Sequence, residues 1–245
     1  MEQHRPPIEN PRLSLLGHFR LSATTDHVFL PPTVQRLLVL LALHEGGASR
    51  GWVAGVLWPD HTDRSAAASL RSALWRTSRR SGRHLVESAS DDGLLFLHPD
   101  VRVDLRGATA RARGLTASDS PPPLQVPEEL CADLLPSWSD AWLVLAREHF
   151  HQTRLRTLES LSRRLRGTGH TGEAMEYAMT ALEGEPLRES AHRAVTEAHL
   201  AEGNVAEALR HYDLYRHRLR EELGVAPSHD YRTLLAPFLA RPLDP

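Results

Sequence analysis

A cluster of prolines near the middle of the chain divides it into two halves. Residues 118–127 have the sequence Ser-Asp-Ser-Pro-Pro-Pro-Leu-Gln-Val-Pro. Consecutive prolines disfavour the interior of a helix and of a strand, because proline lacks the backbone donor and fixes φ. At 245 residues the chain is long enough for two modest domains. The sequence therefore predicts a first domain at 12–115, a linker at 116–127 and a second domain at 128–245.

The first half combines short apolar stretches with helical patterns. Its breakers and apolar periodicity predict, in chain order, a hairpin of 13–21 with 27–30, helices at 33–45, 49–57 and 63–80, and a hairpin of 85–88 with 94–98. Gly46 and Gly47 lie at an expected C-cap, while Ser49 and Asp63 are good N-caps. Two helices around a tight turn, followed by a hairpin, indicate a helix-turn-helix with a wing.

The second half is predicted to be entirely helical. Recurring glycines and prolines bound helices near 139–166, 170–183, 187–201, 205–223 and 228–239. The pattern Gly-x3-Glu-Ala at 169–174 returns at 203–208, which is the 34-residue period of tetratricopeptide helix pairs. Antiparallel helices with a coincidental repeat remain the alternative. The expected fold class is mostly α with small β-hairpins, a winged helix-turn-helix domain followed by a tetratricopeptide-like all-α domain.

All 29 basic side chains are arginines, since the chain contains no lysine. A Walker A lysine, a Schiff-base lysine and a kinase-type lysine are therefore excluded. Residues 1–115 have a net charge of +4 and residues 116–245 a net charge of −6. Six arginines lie between Arg64 and Arg83, and no Asp or Glu lies between Asp63 and Glu87. Such a basic segment in a slightly acidic protein indicates nucleic acid as the partner.

A helical wheel separates this basic segment into two faces. With Leu70 at the centre of the buried face, that side gathers Ala66, Leu70, Ala73, Leu74 and Thr77. The opposite side gathers Ser65, Ala68, Ser72, Trp75, Arg76 and Arg79, with Arg64 and Arg71 on its flanks. Small residues between arginines allow a helix to lie deep in a DNA groove. A solvated cationic face without a ligand is the alternative interpretation.

Several stretches resemble one family of regulators. Ser-Arg-Gly-Trp-Val-Ala-Gly-Val-Leu-Trp-Pro-Asp at 49–60 and Ala-Ser-Leu-Arg-Ser-Ala-Leu-Trp-Arg at 68–76 resemble the winged helix, itself of the OmpR/PhoB type, of the Streptomyces antibiotic regulatory protein (SARP) family. In the second half, the stretches at 134–138, 140–142, 185–189 and 221–227 resemble the bacterial transcriptional activation domain of that family. The resemblance covers nearly all of residues 13–239, and the Glu-Glu-Leu-Gly-Val-Ala-Pro ending is a specific signal.

The resemblance implies a transcriptional activator rather than an enzyme. Such proteins bind direct repeats in promoter DNA, usually as paired protomers, and recruit RNA polymerase; we expect a homodimer on DNA, contacts with polymerase including its sigma factor, and control of a secondary-metabolite gene cluster. The helix at 63–80 would be the recognition helix. The expected DNA-binding residues are Arg64, Arg71, Ser72, Trp75, Arg76, Arg79 and Arg80. Leu70 and Leu74 match buried positions of the family. Thr77 stands where a bulkier apolar residue is common, which implies looser packing at the end of the helix.

Three other kinds of function have some basis in the sequence. Gly47-Ala48-Ser49-Arg50-Gly51 fits the G-x-S-x-G motif of serine hydrolases, but Ser49 as a helix N-cap explains the same residues without strain. The 15 histidines show no His-x3-His pair, and one cysteine cannot form a zinc finger, so no metal or cofactor is expected. A helical-repeat adaptor without specific DNA binding stays open.

Localisation is predicted from what the chain lacks. The polar N-terminus resembles no signal peptide, the longest purely apolar run (37–43) is too short to span a bilayer, and the single Cys131 fits a reducing compartment. We therefore expect a cytoplasmic protein without membrane contact. We also expect the nucleotide-binding module of the larger SARP members to be missing, in agreement with the lack of a Walker A lysine.

Overall fold

The computed structural model describes residues 11–23, 26–81, 84–89 and 93–239. Two compact units divide the chain: one comprises the described residues up to Gly107 together with Ala132–Glu148, and the other comprises Ala108–Cys131 and the residues from His149 onward.

Within the described residues the strands are β1 (Arg12–Ser14), β2 (Arg20–Ala23), β3 (Asp26–His27), β4 (Ala48–Ser49), β5 (Val86–Ser88), β6 (Leu94–Leu97) and β7 (Arg102–Val103). The helices are α1 (Pro32–Leu43), α2 (Arg50–Leu57), α3 (Asp63–Ser81), α4 (Asp104–Ala117), α5 (Val144–Gly167), α6 (Thr171–Gly184), α7 (Glu189–Ala201), α8 (Val205–Leu223) and α9 (His229–Leu239), with 3₁₀ turns at Glu128–Leu130 and Ala141–Leu143.

Helices α1, α2 and α3 form the centre of the first unit. Each packs against the other two, and α1 also packs on β6 of a three-stranded sheet with the order β4-β6-β5. The aliphatic side chains of α1, including Leu37 and Leu40, are fully buried in this core. The hairpin of β5 and β6 directly follows α3, so the unit is a winged helix-turn-helix, as the sequence predicted.

A second sheet, with the order β3-β2-β1-β7, precedes and follows this centre in sequence. Strands β1 and β2 form an antiparallel hairpin that turns at Gly17, and β1 pairs in parallel with β7. Strand β2 also pairs antiparallel with β3, and Val28 donates its backbone N–H to Leu21 at 3.0 Å. The predicted hairpin of 13–21 with 27–30 is therefore confirmed at the end of its first stretch, while the beginning of that stretch belongs to the separate strand β1, which pairs with β2. Asp104 joins the two ends of the unit, since its carboxylate accepts the backbone N–H groups of Leu15 and Leu16 at 2.9 to 3.2 Å.

Residues 132–148 belong to this first unit although they follow the proline cluster. Leu135 donates its backbone N–H to Leu15 at 3.0 Å, and Gly17 donates to Asp133 at 2.7 Å. The Arg147 guanidinium donates to the carbonyl oxygens of Leu134, Leu135 and Trp138 and so holds this turn together. Leu135 has a positive φ of 42°, a conformation that ordinary side chains adopt only when the surroundings impose it.

Consecutive helices of the second unit pack against each other, α6 on α7 and α7 on α8. Helices α6 and α8 begin 34 residues apart, and each follows a glycine with positive φ, Gly169 and Gly203. Ala174 and Ala208, the matched alanines of the repeat, are both fully buried. Small side chains at these points let neighbouring helices approach closely. The predicted fold class, with its tetratricopeptide-like second half, is therefore confirmed.

The proline-rich segment packs within the second unit. Tyr177 of α6 donates its hydroxyl to the carbonyl oxygens of Pro123 and Gln125 at 2.9 and 2.8 Å. Arg164 of α5 donates to Leu115 at 2.6 Å and also to Ser120. The break in composition at 116–127 therefore does not coincide with the division into compact units, because hydrogen bonds from distant helices hold these residues in place.

Candidate nucleic-acid interface

Helix α3 begins one residue after a capping threonine. The Thr62 hydroxyl accepts the N–H of Ser65 at 3.4 Å, and Asp63 is the first residue of the helix rather than its N-cap. A carboxylate in the first turn still favours the helix, because it interacts with the positive end of the helix dipole. The predicted helix at 63–80 thus differs from the observed one only by a residue at its C-terminus.

One face of α3 is buried, as the helical wheel predicted. Ala66, Leu70, Ala73 and Thr77 are each at most 3% exposed. The Thr77 hydroxyl donates to the carbonyl oxygen of Ala73 at 2.9 Å, which satisfies its polar group inside the core. Leu74 departs from the expectation, because it is only partly buried and lies at the margin of the stripe. The buried face is therefore centred on Leu70 and Ala73.

The opposite face of α3 brings together the predicted DNA-binding residues. Exposed side chains on it are Arg64, Arg71, Ser72, Trp75, Arg76 and Arg79, while the side chain of Arg80 lies outside the described part of the structure. Ser72 donates its hydroxyl back to Ala68 at 3.1 Å, so it is partly occupied by the helix itself. We refer to Arg64, Arg71, Arg76 and Arg79 as the α3 arginines.

The α3 arginines have no carboxylate partner among the residues that the structure describes. Local sequence explains this, since no acidic residue occurs between Asp63 and Glu87. Their guanidinium groups retain all the donors that bidentate contacts with phosphate or guanine need. The face is thus a cluster of uncompensated positive charge on one rigid helix.

Trp75 and Arg79 contact each other on this face. The guanidinium carbon of Arg79 lies 5.0 Å from the centroid of the Trp75 ring, within the range of a cation–π interaction. Trp75 remains 59% exposed. Together with Arg76 and Pro31, these two side chains line an open groove of about 610 Å³. No sequence pattern indicated Pro31, whose proximity to these side chains depends on the packing of α1 against α3.

A second groove lies between α2 and α3. It has a volume of about 450 Å³, and Arg50 and Arg71 lie among its lining residues. Arg50 also donates to the hydroxyl of Ser88 on β5 at 3.2 Å. Arg50 was not among the predicted contacts, although it lies on α2, the first helix of the helix-turn-helix, and in such proteins the first helix crosses the DNA backbone.

The wing packs on the helices through an aromatic side chain. A Cβ atom on Gly47 would lie 2.3 Å from the Phe96 ring, and Gly47 has a φ of 77°. Only glycine satisfies both constraints at this position. The predicted C-cap at Gly46 and Gly47 is wrong, because α1 ends at Leu43 and its C-cap is His44. Glu87 on β5 contacts His98 Nε2 at 3.1 Å. The tip of the hairpin, residues 90–92, lies outside the described residues.

Ser49 acts as the predicted N-cap of α2. Its hydroxyl accepts the backbone N–H of Trp52 at 3.3 Å.

Within the described ranges, no group of three or more His, Cys, Asp or Glu side chains could hold a metal ion. None of the described helices is both long and apolar enough to cross a membrane.

Comparison with known proteins gives two similarities. A family model described as bacterial transcriptional activator domain matches residues 128–237. The solved structure of Mycobacterium tuberculosis EmbR in complex with a low-affinity phosphopeptide has a similar fold, with a TM-score of 0.75 and 18% sequence identity. The alignment covers 96% of this chain and 66% of that chain, so this chain spans somewhat less than two thirds of its length. No curated protein matches the sequence significantly.

The two similarities agree with the resemblance that the sequence motifs indicated. The family match lies in the helical second half, and the EmbR likeness extends the agreement in fold over the winged helix. Residues 128–237 therefore match the bacterial transcriptional activator domain, and they follow a winged helix-turn-helix in a chain whose fold resembles that of EmbR.

Proposed function

We propose that the chain is a transcriptional activator of the SARP type, which binds direct repeats in promoter DNA through α3 and recruits RNA polymerase, including its sigma factor. It acts in the cytoplasm as a homodimer on DNA and controls a secondary-metabolite gene cluster. In this proposal the domain at 12–115 supplies the DNA contacts, and the domain at 128–245 supplies contacts between protomers and with polymerase.

The observation that supports DNA binding most strongly is the set of α3 arginines. They are exposed, they lie on one helix face, and none has a carboxylate partner in the described residues. A duplex offers one negative charge per about 1.7 Å of its axis, so a row of free guanidinium groups matches it electrostatically. Ala68 and Ser72 between the arginines are small enough for the helix to approach base edges.

A salt titration of DNA binding tests this proposal. The probes are a duplex selected by the protein from a random library and an unselected duplex of the same length. We expect Arg76→Ala and Arg79→Ala each to weaken binding and to reduce the slope of log K against log salt by about 1, because one phosphate contact is lost. Arg216→Ala removes the same charge from the helical unit and should leave both quantities unchanged.

Three results would contradict parts of the proposal. A wild-type protein that enriches no sequence from the library is not a specific activator, and the adaptor interpretation then gains support. Unchanged salt slopes for both α3 variants would remove this helix from the interface. A selected site without a repeated half-site, bound by a single protomer in sedimentation, would rule out the paired arrangement.

A further inference from the structure

The contact between Trp75 and Arg79 restricts one of the α3 arginines. The two residues are one helical turn apart, and the guanidinium carbon lies 5.0 Å from the ring centroid. An isolated exposed arginine samples many rotamers, and holding it in one of them costs conformational entropy on binding. A guanidinium held against an aromatic ring has lost part of that freedom before any ligand arrives.

Stacking leaves the donors of Arg79 available. The five N–H groups of a guanidinium lie in its plane and point outward from its edge, whereas the ring contact uses its face. Arg79 forms no ion pair with a carboxylate in the described part of the chain. Its donors are therefore both oriented and free.

The groove beside this pair has the chemistry of an anion site. Among the described residues its lining consists of Pro31, Trp75, Arg76 and Arg79, of which two are arginines and none has a carboxylate. Pro31 forms a rigid wall, fixed because α1 packs against α3. The groove is open and lies on the same helix face as the other α3 arginines.

We propose that this groove binds a backbone phosphate of the DNA duplex and that Trp75 is the positioning residue that holds Arg79 for that contact. This inference rests on the proposed function, namely that α3 binds DNA. Arg76 supplies the second positive charge to the same phosphate. Because every nucleotide has a phosphate, Trp75 contributes affinity here and not discrimination between bases.

A double-mutant cycle tests the coupling between Trp75 and Arg79. We expect Trp75→Ala to weaken binding roughly 2- to 5-fold, the range of an exposed cation–π contact, and Trp75→Phe to retain most of the wild-type affinity. In an Arg79→Ala background, Trp75→Ala should have no further effect. The losses should be equal on selected and unselected duplexes. The matched control combines Trp75→Ala with Arg64→Ala, and here the two losses of binding free energy should add.

Neutral methylphosphonates placed one at a time in the duplex locate the phosphate. The wild-type protein should lose affinity at one or two positions, and both Trp75→Ala and Arg79→Ala should lose clearly less there, because the contact with Arg79 is weakened or absent while that with Arg76 remains. A merely structural role of Trp75 would not produce this pattern. Circular dichroism confirms that each variant is folded.

The two proposals fail in different ways. If the wild-type protein binds no duplex, the proposed function is wrong, and this inference fails with it. If the wild type binds but the Trp75 and Arg79 effects are additive, only the inference is wrong. If Trp75→Ala loses affinity only for the selected duplex, the inference is likewise wrong, because Trp75 would then recognise a base.

Discussion

The arginines of α3 and several arginines of the helical unit have opposite surroundings. In the helical unit, Arg166 and Arg193 contact Glu197, Arg188 contacts Glu159, and Arg210, Arg216 and Arg218 pair with carboxylates three or four residues away on α8. The α3 arginines have no such partner within the described residues. The same side chain thus stabilises one region and remains available to a ligand in the other. The positions of the acidic residues decide whether an arginine forms an ion pair or stays available.

The ion pairs of the helical unit also differ from one another in solvent exposure. The Arg188 and Glu159 side chains are only 19% and 12% exposed, so their interaction is weakly screened by solvent. Pairs on α8 such as Arg210 with Glu207 are 64% and 45% exposed and contribute little. A partly buried pair is therefore expected to matter for folding, an exposed pair hardly at all, and an unpaired exposed arginine only for binding.

The largest effect is expected from charging the buried face of α3. Leu70→Asp should unfold the first unit, since losing the leucine alone costs about 2–5 kcal/mol and the buried carboxylate adds to that. Ser72→Asp places the same charge on the opposite face of the same helix. It should stay folded by circular dichroism and lose DNA binding. A folded Leu70→Asp protein would show that the two faces are assigned incorrectly.

Breaking the partly buried pair in the helical unit should come next. Arg188 Nε lies 2.5 Å from Glu159 Oε1, and Arg188 also donates to Gln152 at 2.9 Å. Arg188→Ala leaves a carboxylate with little access to water, so we expect a loss of about 3 kcal/mol in urea unfolding. Adding the substitution Glu159→Gln should recover part of the lost stability. Unchanged stability would mean that this pair is solvated like the surface pairs.

A histidine pair makes the stability of the helical unit depend on pH. His192 Nε2 lies 3.0 Å from the Pro186 carbonyl oxygen, so it donates there, and His192 Nδ1 accepts from His211 Nε2 at 3.0 Å. Burial lowers the pKa of both side chains, that of His211 to about 4. Since the folded state disfavours the protonated form, stability is complete above the unfolded pKa of about 6.5 and is lost as the pH falls toward 4.

We therefore expect the urea midpoint to fall between pH 7.5 and pH 5, by the equivalent of about 2 kcal/mol once partial solvent access is taken into account. His211→Gln can still donate a hydrogen bond but does not titrate, so it should flatten this dependence. The stability of wild type and variant would be compared by circular dichroism at several pH values. Parallel pH profiles would contradict the assignment to His211.

The smallest effect is expected from an exposed pair. Arg210→Ala removes an ion pair with Glu207 whose two atoms are 2.7 Å apart. Because both side chains are well solvated, we expect a change in unfolding free energy of at most about 0.5 kcal/mol. Neither DNA affinity nor its salt slope should change. A larger loss would mean that Arg210 has a role in the activator domain beyond its ion pair.

Local sequence signals predicted the helical framework well. Ser49 caps α2, the 34-residue repeat places α6 and α8, and the wheel centred on Leu70 separates the faces of α3. These features depend on residues close together in the chain, where periodicity and capping preferences act directly. The hairpin of 13–21 with 27–30 was correct only in part, because apolar stretches alone do not show that the first of them contains two strands.

Contacts between distant residues escaped the sequence analysis. Arg147 holds a turn of the first unit through three backbone carbonyl groups, and no local pattern indicates that an arginine twelve residues downstream is needed there. Leu74 lies at the margin of the core because the neighbouring elements, not the wheel, decide how far the buried stripe extends. Similarly, Pro31 lines the groove on α3 only because α1 packs beside it.

By itself, the sequence determined that α3 is a basic helix with one apolar face, because charge and periodicity are local properties of a chain. It also determined the helix repeat of the second half, since the spacing of glycines and alanines is written in the sequence. Only the tertiary structure decided that residues 132–148 belong with the winged helix and that the proline segment is held by Tyr177. The tertiary structure likewise decided that Arg79 stacks on Trp75 beside Pro31. Such contacts follow from how distant or flexible groups pack together, a balance of burial and hydrogen bonding that no short stretch of sequence specifies.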